Sequence, residues 1–224
     1  MKYISENFPT LARAAWITIQ LSLLSFAIGL VIGMVIAIFR VSPLRPLRSF
    51  GSFYVAAMVN TPIAFLMFFG FYGIPKLGPL VSGFATAVVV MSMYVGGYVA
   101  EAVRSGINTV PNGQAEAARA IGLTFGQTVR HVVLPQALRS SFGPLGVLLN
   151  ANFRNVAVAG AIGVGELLKT QRVLGDGIDP GTGERLDYAK PFPFLMVALA
   201  FYLVVGLGLG QLASQLDRRL AVKR

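Results

Sequence analysis

The residues best suited to chemistry in this 224-residue chain point to recognition rather than bond-making. Arg154 stands in an otherwise uncharged stretch, Ser140–Gly165, with Asn150, Asn152 and Asn155 beside it. A guanidinium among carboxamides is a donor-rich set suited to a carboxylate, so these residues are expected to line a polar pocket. The alternative is that Arg154 snorkels to an interface, or pairs with Glu101 or another subunit. Asn60, Thr61 and Pro62 form a second polar interruption. Pro62 frees a backbone carbonyl that Asn60 or Thr61 could satisfy or leave for a ligand, although a plain kink is the simpler expectation. Glu116 and Arg119, in an Ala-rich run that stops at Gly122, carry charges able to pair across a protein contact. Catalysis has no such support. There is no cysteine, the single His131 has no partner, and no carboxylate pair lies in an apolar run. The run Gly163-Val164-Gly165-Glu166-Leu167-Leu168-Lys169-Thr170 imitates a phosphate loop but has Leu168 where the second glycine must be. Neither ATP, nor a metal, nor another cofactor is expected on this chain.

The elements that must position these residues lie in a bilayer. Hydrophobic residues make up 55% of the chain and charged residues only 12%, about half the soluble norm. Mean hydropathy is +0.69. The net charge of +10 then fits anchors beside membrane spans rather than nucleic-acid binding. A helix needs roughly 20 apolar residues to cross. Uncharged runs at 14–39, 49–75, 77–100 and 191–216 meet that length. Ser140–Gly165 makes a further span, loosened near Asn152–Asn155. Five transmembrane helices are therefore expected over about 12–39, 50–75, 77–100, 140–163 and 191–216, in one all-α membrane domain of residues 1–224. With the N-terminus outside and the C-terminus cytoplasmic, inner segments hold eleven basic and three acidic residues, and outer segments seven and six. That bias orients the chain. Residues 166–190, with nine charges, four glycines and Pro180, read as a solvated, flexible outer connection.

The cytoplasmic stretch 104–139 is too regular for an idle loop. Pro111 to Leu138 predicts two short helices with a bend between them. Asn112 caps the first, Gly122 supplies a left-handed stop, and Thr124 with Gln127 forms a capping box for the second. Pro135 disrupts or kinks that second helix. Such a unit flush with the membrane is a docking surface.

Glu116-Ala117-Ala118, Gly122 six residues after the glutamate, and Val132-x-Leu134-Pro135 resemble the EAA loop of ABC importer permeases. Val110-Pro111-Asn112-Gly113-Gln114, Asn60-Thr61-Pro62 and Ile162-Gly163-Val164-Gly165-Glu166 resemble the polar amino-acid branch, and the glutamate-type permeases of actinobacteria within it. The likeness runs from Trp16 to the Leu220-Ala221-Val222-Lys223 tail. It implies a type I ABC importer permease fold in a bacterial inner membrane. Gly113, Glu116, Ala117, Ala118, Arg119, Gly122, Leu134 and Pro135 would then form the loop that engages a separate ATP-binding subunit. That subunit would act as a dimer and carry ATP and Mg. A second permease chain (sister or self), an extracytoplasmic solute-binding protein and an amino-acid substrate complete the implied partners. Asn60, Thr61, Pro62, Asn150, Arg154 and Asn155 become the expected substrate path. Two departures fall beside it. Val59 stands where relatives often have Arg, and Arg154 with Asn155 stands where they have Lys followed by hydroxyl residues.

The small-residue spacing Gly29-x-x-x-Gly33 permits close helix packing, as do Gly206, Gly208 and Gly210, possible seams toward a second permease. Two rival functions fit parts of the pattern. An ion-coupled secondary transporter needs an intramembrane carboxylate, for which Glu101 is the sole candidate. A non-transporting scaffold needs only the docking loop.

Overall fold

Apolar composition and helix-forming runs produce a helical chain with no strand among the described residues. The computed structural model describes residues 2–77 and 82–220. The tail after Leu220 and residues 78–81, where the third span was expected to begin, lie outside them. The order is α1 (Lys2–Glu6), α2 (Phe8–Val41), α3 (Arg45–Asn60), α4 (Ile63–Phe68), α5 (Gly83–Asn108), α6 (Asn112–Ala120), α7 (Phe125–Thr128), α8 (Leu134–Asn155), α9 (Leu167–Gly175) and α10 (Pro191–Leu220). Four helical stretches are long and apolar enough to cross a membrane: Phe8–Val41, Gly83–Asn108, Phe125–Ile162 and Pro191–Gln215. A fifth is obtained if α3 and the segment after its break count as one span.

Several expectations need correction. At Thr61 and Pro62 the second span does not kink but breaks. Both residues are extended, with ψ of 129° and 130°, and α4 restarts at Ile63. Pro62 has no N–H to continue the ladder and pushes the preceding residue out of the helical region. The chain then widens into a π turn at Phe69–Gly73 and tightens into a 3-10 turn at Ile74–Leu77. Among the described residues the third span runs as α5 from Gly83. Pro135 does not end the helix, which runs on from Phe125 into α8. The π turn at Val129–Val133, closed by the Leu134 N–H on Val129 O, widens the helix just before the proline and accommodates its missing N–H. The expected loosening of the next span comes just after Asn155, where α8 gives way to a 3-10 segment, Val156–Ile162. The stretch 166–190 is not a flexible connection. It contains α9, whose Leu167, Thr170, Gln171, Leu174 and Gly175 are buried, and then a turn closed by an Ile178–Arg185 bridge.

The chain divides into two compact units. The first comprises Met1–Ser25, Pro62–Met91 and Asn150–Gly208. One of its cores joins Leu21, Met67, Met91, Val156 and Ile162. A second joins Leu11, Ala14, Leu167, Leu174 and Phe194, and therefore holds α9 in place. Tyr188 is fastened to the N-terminal segment by ring contact with Tyr3 and a hydrogen bond from Asn7.

The second unit comprises Phe26–Thr61, Ser92–Leu149 and Leu209–Arg224. Its core contains Ile36, Val55, Val95, Val99, Val103 and Leu145. Lipid gives helices no hydrophobic reason to associate, so small residues that admit a neighbour's backbone decide the contact. Gly33 is such a residue. A Cβ there would lie 2.5 Å from Val99 Cβ and 2.8 Å from the Gly96 carbonyl oxygen, so the Gly29/Gly33 seam packs α2 against α5. Gly106 meets Ser141 and Ala137 of α8 in the same way. Arg40 on α2 pairs with Glu101 on α5 at 3.0 Å, and Arg104 reaches the same carboxylate at 3.3 Å. Glu101 is thus committed to two arginines, which removes the support for ion coupling and for an Arg154–Glu101 pair.

Candidate functional site

The loop between α5 and α8 is built by local rules that the sequence announces. Alanines favour α6. It ends at Ala120 with Ile121 as its cap, after which Gly122 adopts φ +90°. The Gly122 N–H donates to Arg119 O at 3.0 Å and the Leu123 N–H to Ala118 O at 3.1 Å, the paired bonds of a left-handed helix stop. Thr124 then starts α7. Its Oγ1 accepts from Gln127 N at 3.3 Å while its own N–H donates to Gln127 Oε1 at 2.9 Å, the expected capping box. One cap differs from expectation. Asn112 is the first residue of α6 rather than its cap, and α6 begins after Pro111 with no side-chain cap.

Gly113, Glu116, Ala117 and Ala120 recur at the i, i+3, i+4, i+7 spacing that defines one helix face, and all four are exposed. Glu116 forms no ion pair among the described residues. Arg119 is exposed and turns its Nε back to Ala115 O at 3.3 Å. Ala118, expected on the docking surface, is 5% exposed and packs underneath instead. Leu134 is half-buried against the second unit's core, and Pro135 is exposed. Ile121 was absent from the expected set. At 81% exposure it is the most exposed of the large hydrophobic side chains described. The arrangement is a shallow face of small residues, one carboxylate and an apolar knob at the bend, a shape for insertion into a partner.

The polar residues of α8 divide. Asn150 and Arg154, four apart, share a face. Asn150 Nδ2 donates to Gly206 O of α10 at 3.0 Å, while its buried Oδ1 has no partner among the described residues. Arg154 is exposed, without a hydrogen bond or ion pair among the described residues. Asn155 is half-buried at the helix end. Asn152 leaves the expected pocket. It is 1% exposed and points away, donating to Ser22 O at 2.9 Å and to Ser25 Oγ at 3.0 Å on α2. Asn60 donates to Ala56 O at 2.8 Å, so its amide satisfies its own helix end, beside the extended Thr61 and Pro62.

Glu166 has no place among the expected site residues, yet it is fully buried. Its carboxylate caps α9, accepting from Leu168 N at 2.8 Å and Lys169 N at 2.6 Å, and Tyr202 donates its hydroxyl at 3.2 Å. Thr18 Oγ1 accepts from Leu167 N at 3.0 Å alongside. Burial pushes the carboxyl above its ordinary value of 4.5, opposed by these hydrogen bonds and by the Lys169 charge. The fold therefore favours the protonated form. Its stabilising contribution is complete below the ordinary value and declines as pH rises through the raised one. Against Glu166→Gln, wild type is expected to gain in melting temperature as pH falls toward about 4.5. A difference that stays flat with pH would contradict the raised value. An acid just before Leu167-Leu168 was the available N-cap signal.

Comparison with known proteins follows this geometry. Residues 29–222 match the family model described as binding-protein-dependent transport system inner membrane component. The chain is 36% identical over 231 residues to the glutamate transport system permease protein of Corynebacterium glutamicum, covering 96% of each. It is 36% identical to the L-cystine transport system permease protein of Bacillus subtilis, covering 77% of this chain and 74% of that one. A crystal structure of an amino acid ABC transporter with histidines superposes with a TM-score of 0.81 at 26% identity, covering 96% of each chain. The inward-facing MetNI methionine ABC transporter has the same fold, with a TM-score of 0.78 at 21% identity and coverage of 96% and 98%.

Proposed function

The chain belongs to the family of binding-protein-dependent transport system inner membrane components, and from that premise we propose that it forms the translocation path of an ATP-driven importer for a polar amino acid. It is a multi-pass inner-membrane permease subunit, not the ATPase. ATP and Mg bind to a separate subunit whose dimer receives the α6 faces of two permease chains, and closure of that dimer moves the spans. A solute-binding protein delivers substrate to the face carrying residues 166–190. The excess of basic residues in the intervening segments supports an outside N-terminus and a cytoplasmic C-terminus.

The observation that carries this reading is the exposed α6 face ending in the Gly122 turn. Tagged chain purified in mild detergent is expected to bring down an ATP-binding subunit, and replacing Glu116 together with Gly122 removes it. Retention of the ATPase by that double variant would refute the coupling role. The same preparation distinguishes a sister permease from a second copy.

Substrate class rests on Arg154 and on the relatives' names. A lone cation facing a path suits an acidic amino acid such as glutamate, or the α-carboxylate that every amino acid carries. In vesicles energised with ATP, Arg154→Ala is expected to raise the KM for uptake about tenfold, the loss of one charge-assisted contact, with an unchanged melting temperature. If neither rate nor substrate preference changes, Arg154 lies off the path.

A further inference from the structure

A cavity of about 290 Å³ opens beneath α6, apart from the exposed face used for docking. Val41, Ile107, Val110, Phe125 and Val133 give it apolar walls. Three features break that apolarity. Thr128 lines the cavity, is 4% exposed, and its hydroxyl has no hydrogen-bond partner among the described residues. Buried hydroxyls almost always find a partner, so an orphan facing a void marks a place for one. Arg119 stands at the rim with only its Nε engaged, by Ala115 O. Pro111 and Asn112 bring the uncapped start of α6 to the same cavity, and its dipole favours negative charge. No acidic residue is among the lining groups.

We propose that this cavity is a binding site for a small amphiphilic monocarboxylate. Its apolar body packs on the valines and Phe125, while its carboxylate accepts from the Thr128 hydroxyl and pairs with the Arg119 guanidinium. The volume is at the small end of ligand pockets, which selects a short chain or single ring. The walls come from α6 on one side and from α7 with the π turn that leads into α8 on the other. An occupant therefore bridges the two halves of the loop. It restrains α6 against the segment feeding the span and lowers the efficiency with which ATP hydrolysis drives uptake.

The test uses the purified permease–ATPase assembly in lipid nanodiscs, titrated calorimetrically with octanoate and with 1-octanol, empty nanodiscs being subtracted. One saturable octanoate site per permease chain is expected, with 1-octanol at least about tenfold weaker. Thr128→Val, which keeps the shape and removes the hydroxyl, weakens octanoate about tenfold without lowering the melting temperature. Ile107→Phe fills the cavity and abolishes binding. Partition without saturation, or equal affinity in wild type and both variants, overturns the site. Saturating octanoate is expected to slow ATP-driven uptake in wild type and to spare it in Thr128→Val. Uptake unaffected at saturation overturns the regulatory role. Absence of ATP-driven uptake without any octanoate counts against the importer reading alone.

Discussion

Replacing Ile121 with Asp is expected to reduce ATP-driven uptake at least about tenfold while leaving the chain folded, because the side chain contributes to docking and almost nothing to its own unit. At 81% exposure Ile121 has little folded-state packing to lose, so the melting temperature of the isolated permease should not move. Under the proposed function the same position would be buried by a cleft of the ATP-binding subunit. An apolar anchor at the end of a face of small residues, Gly113, Ala117 and Ala120, fits the pattern of a few residues dominating an interface. Aspartate there adds the desolvation of an unpaired charge to the lost apolar contact. The ATPase of the assembly should become uncoupled from substrate, or should dissociate during purification. Gly122→Val is expected to act by a different route. Its φ of +90° is strained for a β-branched side chain, so the turn that presents Ile121 shifts and uptake falls with it. Uptake within twofold of wild type for Ile121→Asp would remove Ile121 from the docking surface.

Gly33→Val is expected to cause a large loss of stability in the second unit. The new Cβ would stand 2.5 Å from Val99 Cβ and 2.8 Å from Gly96 O, distances real Cβ atoms essentially never show. A side-chain tip could rotate away, but a backbone oxygen on a packed helix cannot. The helices must separate, and overpacking of this kind costs about 1–3 kcal/mol or more. Separation would also stretch the Arg40–Glu101 pair, now 3.0 Å long, which joins the same two helices. Thermal unfolding in detergent should show a melting temperature several degrees lower together with poor yield. Val99→Ala should restore only part of the loss, since it removes Cγ1 but leaves both Val99 Cβ and Gly96 O in the way. A Gly33→Val protein that melts within a degree of wild type would contradict the close approach of α2 and α5.

Where structure is set within four residues, the sequence was a sufficient guide. Apolar runs located the membrane helices, Gly122 located the turn, and Thr124 with Gln127 located a cap, because each depends on hydrogen bonds or hydropathy inside a single turn. Local rules failed where two local devices compete. Asn112 is a good capping type, yet Pro111 before it starts the helix one residue earlier. Pro135 has the appearance of a breaker, but the preceding π turn lets the helix continue through it. The charges and glycines of 166–190 resembled a solvated strap, although Leu167 and Leu174 are buried with Leu11 and Phe194.

What the sequence determined by itself was the class of molecule: an all-α membrane chain of the importer-permease family, with a helix–turn–helix unit between two of its spans. Burial was decided by tertiary structure alone. Asn152 bonds to Ser22 and Ser25, about 130 residues away along the chain. Glu166 is removed from solvent where Tyr202, 36 residues along the chain, hydrogen-bonds to its carboxylate, while Ala118 turns inward and Ile121 outward from neighbouring positions. The physical reason is one of range. Hydropathy and capping act along a turn and can be read from neighbours. Which side of a helix meets another chain segment depends on contacts made when distant segments pack, and their energies are absent from any short window of residues.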